Sequence, residues 1–572
     1  MTKFKEFKDV CEAIEVISSS LEMTSVVSSL LRRIGEGDDP DTELSIVSRF
    51  IMGKIFPDWS VVELGVGPSL LYESISRTAG VPVRQIKQLI RETGDVGEAA
   101  RVALEKGAAR SQTTQTTFLD FADAGGSEDG ESREDVDGRL TIIEVFDRML
   151  SIAQASGKGS QQTKIKNLQY LFGTASPGES RYIARLVLGE LRIGVGEGIV
   201  RNAIAQAFGE DADAVERSYM LINDLGEVAV TAFHHDLDRV SIRIGRPIKM
   251  MLAQIGSFGD VTRLYAAEWK FDGARVQIHK NGDDVCIFSR RLEDVTESLP
   301  DVVNLIKSQV TADQAILDGE VVAIGPDGKP LVFQEIMRRF RRKYQILTMV
   351  EKIPLHLNLF DIVYLDGAAL IDEALHVRRE RLEAVVRPHD RLMAAEQVVT
   401  DDPDVVHAAY QAALDAGHEG IMIKNPDSVY SPGKRGKNWL KIKPIMETLD
   451  LVVVGAHWGE GRRANLIGSY LLACYDPDTS EFLEIGRVGT GITDEQLSEL
   501  TELFSQYIIS EEGGAIELKP AVVFEIAYEE IQKSPHYASG YALRFPRLVR
   551  VRFDKTPEDA DSIERVGMLA GG

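Results

Sequence analysis

The chain has 572 residues, of which 44% are apolar and 27% charged, and its formal net charge is −24. At roughly 150 residues per domain this bounds about three or four globular domains, and the acidic balance excludes a uniformly basic nucleic-acid coat while leaving a local basic groove open. Three widely spaced cysteines, Cys11, Cys286 and Cys474, cannot fill a four-cysteine zinc site or a disulfide framework. The start of the chain has no signal-peptide pattern and no apolar run is long enough to span a bilayer, so a reducing, cytoplasmic setting without a membrane is expected.

Residues 1–225 read as helical. Val10, Ile14, Val16 and Ile17 recur at helical spacing, as do Ile183, Leu186, Val187 and Leu191, and Pro57, Pro68 and Pro82 punctuate the pattern. The segment from Asp120 to Asp137 has eight acids, one arginine and no apolar period, which predicts a solvated loop. Two glycine-containing stretches, Ser156–Lys166 and Arg192–Gly198, precede helices; they are either backbone donors to phosphates or ordinary interhelical turns.

From about residue 240 strand patterns dominate, as in Val285–Phe288, Ala315–Leu317, Val321–Ile324 and Leu355–Phe360, while Arg378–Val386 reads as an arginine-rich surface helix. From about 445 short strands recur at the spacing of a small barrel of about 120 residues. In the stretch Ala266–Lys280, Lys270 stands at the lip of an Asp272-Gly273 turn that suits a hairpin, with Arg275 set to hold an anion. Trp269 and Phe271 on either side desolvate the lysine, which favours the uncharged amine that a nucleophile needs.

Other charges interrupt strand patterns where apolar residues are the rule. Glu320 follows Asp318-Gly319 and precedes Val321-Val322, a costly position unless the carboxylate holds a metal, a sugar hydroxyl or a cation. Glu419 enters the run Gly420–Lys424 in the same manner. Lys441 and Lys443 alternate onto one face, where an anion between them would relieve their repulsion, and Arg435 lies upstream in the polar loop Ser431–Lys437. Together these residues describe a pocket for a nucleotide and a divalent metal.

In order along the chain, Lys270–Arg275, Phe288–Arg291, Asp318–Glu320, Phe360-Asp361, Glu419–Lys424, Trp439–Lys443 and the terminal Leu543–Arg547 with Arg552–Lys555 resemble the motifs of the covalent nucleotidyltransferases. With the helical block ahead of them, the resemblance is to the ATP-dependent DNA ligases of the archaeal and eukaryotic type, over nearly the whole chain. It implies a helical DNA-binding domain at 1–225, a linker at 226–247, an α+β adenylation domain at 248–444 and a C-terminal OB-fold barrel at 445–572.

The resemblance also implies roles. Lys270 attacks the α-phosphate of ATP to form a lysyl–AMP, AMP passes to the 5′-phosphate of a DNA nick, and the 3′-hydroxyl then seals it, in replication, repair and recombination. Glu320 and Glu419 lie near the ribose and Mg²⁺, Phe360 stacks on adenine, and Glu268 rims the adenine pocket. Arg275 and Arg290 contact phosphate and ribose; Arg435, Lys441 and Lys443 contact the nucleotide, Lys443 at the α-phosphate. Arg552, Asp554 and Lys555 orient the β,γ-phosphates, with a hinge near Pro444-Ile445-Met446, and Tyr528–Pro535 resembles the barrel sequence before that last motif. A monomer encircling nicked double-stranded DNA without sequence preference is expected. Gln115–Phe121 loosely resembles a sliding-clamp-binding peptide lacking its second adjacent aromatic, with a loop anchored by Phe118 as the other reading. An NAD-dependent ligase would need the four-cysteine finger, and RNA ligases or capping enzymes would not carry the helical block.

Overall fold

The computed structural model describes residues 1–119, 139–326, 328–331, 333–340, 346–444, 448–459, 463 and 465–570, with side chains at 108–119 and 333–334 excepted. The described residues form two compact units: those of 1–71, 128–191 and 195–444 in one, and those of 72–127, 192–194 and 445–572 in the other. The acidic segment Asp120–Asp137, the clamp-like stretch Gln115–Phe121 as a side-chain motif, and Ile445-Met446 of the expected hinge fall outside what is described.

In the first unit the N-terminal part is helical because each start is chemically marked. Asp39 caps Pro40–Ile51 through Thr42 N–H with proline at the first position, Ser176 and Glu179 form a capping box on Pro177–Val187, and Asp211 caps Ala212–Ile222. Phe4, Phe7 and Phe50 interlock in the core, with centroids 5.3 and 5.9 Å apart. The Ser156–Lys166 stretch is not all turn, since the helix Ser160–Thr174 takes most of it.

Eleven strands follow in the same unit. They are β1 (Leu252–Ile255), β2 (Tyr265–Lys270), β3 (Ala274–Asn281), β4 (Asp284–Ser289), β5 (Gln314–Ala323), β6 (Leu355–Leu365), β7 (Ala368–Ala369), β8 (Leu392–Ala394), β9 (Gln397–Thr400), β10 (Gly420–Lys424) and β11 (Arg435–Ile442). One sheet runs β1-β11-β10-β2-β9; the other runs β4-β3-β5-β6-β7, with β8 beside β6. β2 and β3 therefore belong to different sheets, and the expected hairpin at Asp272-Gly273 is instead a crossover between them. Glycine is required there because a Cβ would lie 2.5 Å from the Val321 carbonyl oxygen and 2.7 Å from Glu320 Cγ.

Each sheet has an outer helical layer. Val406 and Ala413 of the helix Pro403–Asp415 pack on Ile421, Ile423, Leu440 and Ile442. Val302, Leu305 and Ile306 of Pro300–Gln309, with Leu382 of Leu375–Val385, pack on the second sheet. The latter helix is not the surface element expected, because Arg378 is fully buried and bidentate to Asp361, at 2.7 and 2.9 Å. Between the sheets, Ile316, Val363, Trp439 and the half-buried Phe360 and Met422 share one core.

The second unit is strand-rich: β12 (Leu449–Trp458), β13 (Ile467–Asp476), β14 (Glu481–Val488), β15 (Ile508–Glu512), β16 (Ala515–Leu518), β17 (Val523–Ala527), β18 (Glu530–Lys533), β19 (Tyr541–Arg544) and β20 (Arg547–Arg552). β12 is the hub, pairing with β13, β16 and β17, and β20 adds to β17. A single bridge from Thr490 to Arg547 links the β14 end to β20, and no ladder among the described residues closes the ring. Tyr470, Phe504 and Phe524 fill its core. No helix among the described residues is long and apolar enough to cross a membrane.

Candidate active site

Alternation along the strands decides what faces the gap between the two sheets of the first unit. Tyr265, Ala267 and Trp269 of β2 pack outward under the Pro403–Asp415 helix, which turns Ala266, Glu268 and Lys270 inward. Leu317, Val321 and Ala323 of β5 pack outward on the second sheet, which turns Asp318 and Glu320 toward the same gap. Arg275 of β3 lies directly across from Glu320.

Lys270 ends β2 opposite Gly420 of β10, and its carbonyl accepts from Glu419 N–H at 3.0 Å. Its Nζ is ion-paired with Glu419. The side chain is 20% exposed, and Trp269 and Phe271 both meet the His418 ring, at centroid distances of 5.3 and 5.1 Å. Gly420 has φ +134°, and a Cβ there would run into the Ile442 carbonyl and lie 3.2 Å from Lys443 Cα, so Lys443 follows directly beside this rung. Lys441 pairs with Met422, which pairs in turn with Glu268. Arg435 is the exposed first residue of β11, not part of a loop.

Glu320 is half-buried, and burial pushes its carboxyl up from the ordinary 4.5 to about 7, although Lys270, Arg275 and the exposed Arg290 pull the other way and Glu419 adds to the rise. Glu268 is nearly fully buried; it accepts from Lys424 Nζ at 2.5 Å and from Gln397 Nε2 at 2.8 Å. Lys424 in turn sits 4.6 Å from the Phe360 ring centroid and 4.5 Å from that of Trp439.

Arg275 is held from below. Its Nη1 donates to Met251 O at 2.6 Å and its Nη2 to Asp318 Oδ2 at 2.8 Å, and Tyr430 donates to the same carboxylate at 2.6 Å. Asp318 raises the affinity of this guanidinium for its proton against the cost of burial. Tyr430 completes the site without having been named in the sequence, and Asp318, Lys424 and Trp439, which lie inside the resembling motifs, had been given no role of their own. Only the alternation Gly420-Met422-Lys424 and the Asp318/Glu320 spacing carried a signal for two of them. Arg552, Asp554 and Lys555 belong to the second unit.

Four buried atoms here lack a partner among the described residues: Arg275 Nε, Asp318 Oδ1, Trp439 Nε1 and His418 Nδ1. Two of them, Arg275 Nε and Trp439 Nε1, are N–H donors beside aromatic rings and lysines, which fits a base and its phosphates. Two carboxylates flanking the amine fit a hard, oxygen-seeking cation such as Mg²⁺, which keeps waters and takes phosphate oxygens to complete its shell. No group of three or more Asp, Glu, His or Cys side chains capable of holding a metal occurs among the described residues.

Comparison with known proteins agrees. Residues 3–205 match the model for the DNA ligase N terminus, 250–443 that for the ATP dependent DNA ligase domain, and 463–555 that for the ATP dependent DNA ligase C terminal region. The DNA ligase of Methanococcoides burtonii is 56% identical over 99% of this chain and 98% of its own length. That of Archaeoglobus fulgidus is 48% identical over 99% and 98%. A solved structure described as Pmar-Lig_PreS3 shares the fold, with a TM-score of 0.57 at 17% identity over 95% of this chain and 99% of its own. Helical block, two-sheet core, strand-rich C-terminal unit and sequence together assign the chain to the archaeal-type ATP-dependent DNA ligases.

Proposed function

We propose that Lys270 is the nucleophile of this ligase. The observation that carries the assignment is the convergence of Lys270, Glu419, Glu320 and Arg275 on one gap between two sheets. A DNA ligase of this class joins 3′-hydroxyl and 5′-phosphate ends at nicks through an enzyme-bound and then a DNA-bound adenylate, at the expense of ATP. In the first step the Lys270 amine attacks the α-phosphate, a P–N bond forms and the bond to pyrophosphate breaks. The ammonium gives up a proton before attack, and Glu419 is the carboxylate in contact with it. AMP then passes to the 5′-phosphate of the nick, and the 3′-hydroxyl displaces it.

Displacement at phosphorus is helped chiefly by alignment and charge neutralisation. Lys441 and Lys443 face the α-phosphate, with Arg435 at the outer end of the same strand and Arg290 across the gap. Phe360 stacks on adenine, with the Glu268–Lys424 pair at its edge, and Glu320 takes the ribose. Arg275, clamped by Asp318, acts through Glu320, and its buried Nε has no partner among the described residues. Glu320 and Glu419 would hold Mg²⁺, which when bound withdraws charge from the phosphates. Arg552, Asp554 and Lys555 orient the β,γ-phosphates in the first step. The helical block grips nicked duplex through its backbone, without sequence preference and with affinity falling as salt rises. The protein works as a cytoplasmic monomer.

The test uses a nicked duplex with a divalent cation. Wild type is expected to seal with ATP and not with NAD, and Lys270→Ala to fail with ATP yet seal a nick supplied already adenylated. Sealing by Lys270→Ala with ATP would overturn the assignment.

A further inference from the structure

The cations of the last motif are already answered by carboxylates of their own unit. Asp450 on β12, Glu525 on β17 and Arg550 and Arg552 on β20 lie across three adjacent strands, with Asp450 opposite Glu525 and Glu525 opposite Arg550. Arg552 donates from Nε and Nη2 to the two oxygens of Asp554, at 2.9 and 2.8 Å, and from Nη1 to both oxygens of Asp450, at 3.1 and 2.9 Å. Lys555 Nζ lies 2.7 Å from Asp450 Oδ2. One carboxylate thus bridges a guanidinium and an ammonium. Asp450 is itself fixed: its backbone N–H donates to Asp561 at 2.8 Å, and its side chain is only 12% exposed.

These contacts engage all three nitrogens of Arg552 with carboxylate oxygens. A polyphosphate cannot gain a two-pronged grip on it without displacing a carboxylate. Asp554 is two residues away on the segment of Arg552 itself. Asp450 sits two strands away in the same unit and bridges both cations.

We propose that Asp450 is a positioning residue for the adenylation step: it holds Arg552 and Lys555 as an internal stand-in for the ATP β,γ-phosphates, which take its place. The proposal rests on the reading of Arg552 and Lys555 as polyphosphate contacts. It explains how two cations stay ordered on a strand edge during the DNA steps, when no pyrophosphate is present to hold them.

The test is Asp450→Asn in the full chain, a near-isostere that removes the competing charge. The apparent KM for ATP in lysyl–AMP formation should fall about threefold or more, the scale of one partly exposed ion pair, while sealing of a pre-adenylated nick stays at the wild-type rate. Asp450→Glu should restore the wild-type KM. An unchanged or raised KM in Asp450→Asn would overturn the proposal. If Asp450→Asn loses pre-adenylated sealing, and so has not folded, Asp450→Ser is read by the same criterion. Arg552→Ala separates the two layers. If it leaves lysyl–AMP formation intact, the polyphosphate reading falls and takes the proposal with it; if it abolishes that step while Asp450→Asn leaves KM unchanged, only the stand-in falls.

Discussion

Replacing Glu320 by Gln should stabilise the nucleotide-free protein, and by more at high pH. The carboxyl ordinarily titrates at 4.5 and is pushed up to about 7 in the fold by burial. The folded state therefore keeps a proton that the unfolded chain has already lost. Stability falls as pH rises from about 4.5 to about 7 and is flat above that. Integrated over this window, the ionised carboxylate costs at most about 3 kcal/mol at pH 8 and about 1 kcal/mol at pH 5. Glutamine has nearly the same shape and does not titrate, so it escapes both costs. At roughly 1 °C per kcal/mol for a unit of this size, the advantage of Glu320→Gln in melting temperature should grow by about 2–3 °C between pH 5 and pH 8. Calorimetry in chelator, without nucleotide, measures it. A difference that does not change with pH, or a glutamine variant less stable at pH 8, would refute the reasoning.

Gly273→Ala should cost about 1–3 kcal/mol through overpacking and lower the rate of lysyl–AMP formation, because the added methyl collides with Val321 O and Glu320 Cγ where the chain crosses between sheets; melting temperature and adenylation are read together. Lys424→Met should destabilise by about 3–5 kcal/mol, since it leaves the buried Glu268 carboxylate without its cation. Adding Glu268→Gln to it should recover part of that loss, whereas losses that simply add would contradict the pairing.

The residues of the site were legible because the chemistry forces rare placements. A lysine before Asp-Gly, carboxylates amid valines and a lysine pair on one strand stand out against alternation, and their order along the chain is specific. What the pattern withheld was which strands share a sheet. Asp272-Gly273 fits a hairpin locally, and only the approach of β5 within 2.5 Å of where a Cβ would be shows why glycine sits at a crossover. Arg378 looked like one more surface arginine because its partner Asp361 lies 17 residues away on a strand, at no helical spacing. Lys424 and Glu268 are 156 residues apart and Arg552 and Asp450 are 102 apart, so neither pairing leaves a local trace. Nor did the neighbours of Lys270 show that its amine is paired with Glu419, 149 residues away, or that Trp269 and Phe271 both meet His418.

The most direct test locates the covalent adenylate. Purified protein is incubated with α-labelled ATP and Mg²⁺, denatured and digested, and the labelled peptide is sequenced. One AMP on Lys270 is expected, acid-labile and lost in Lys270→Ala; label on any other residue, or undiminished label in that variant, would contradict the account.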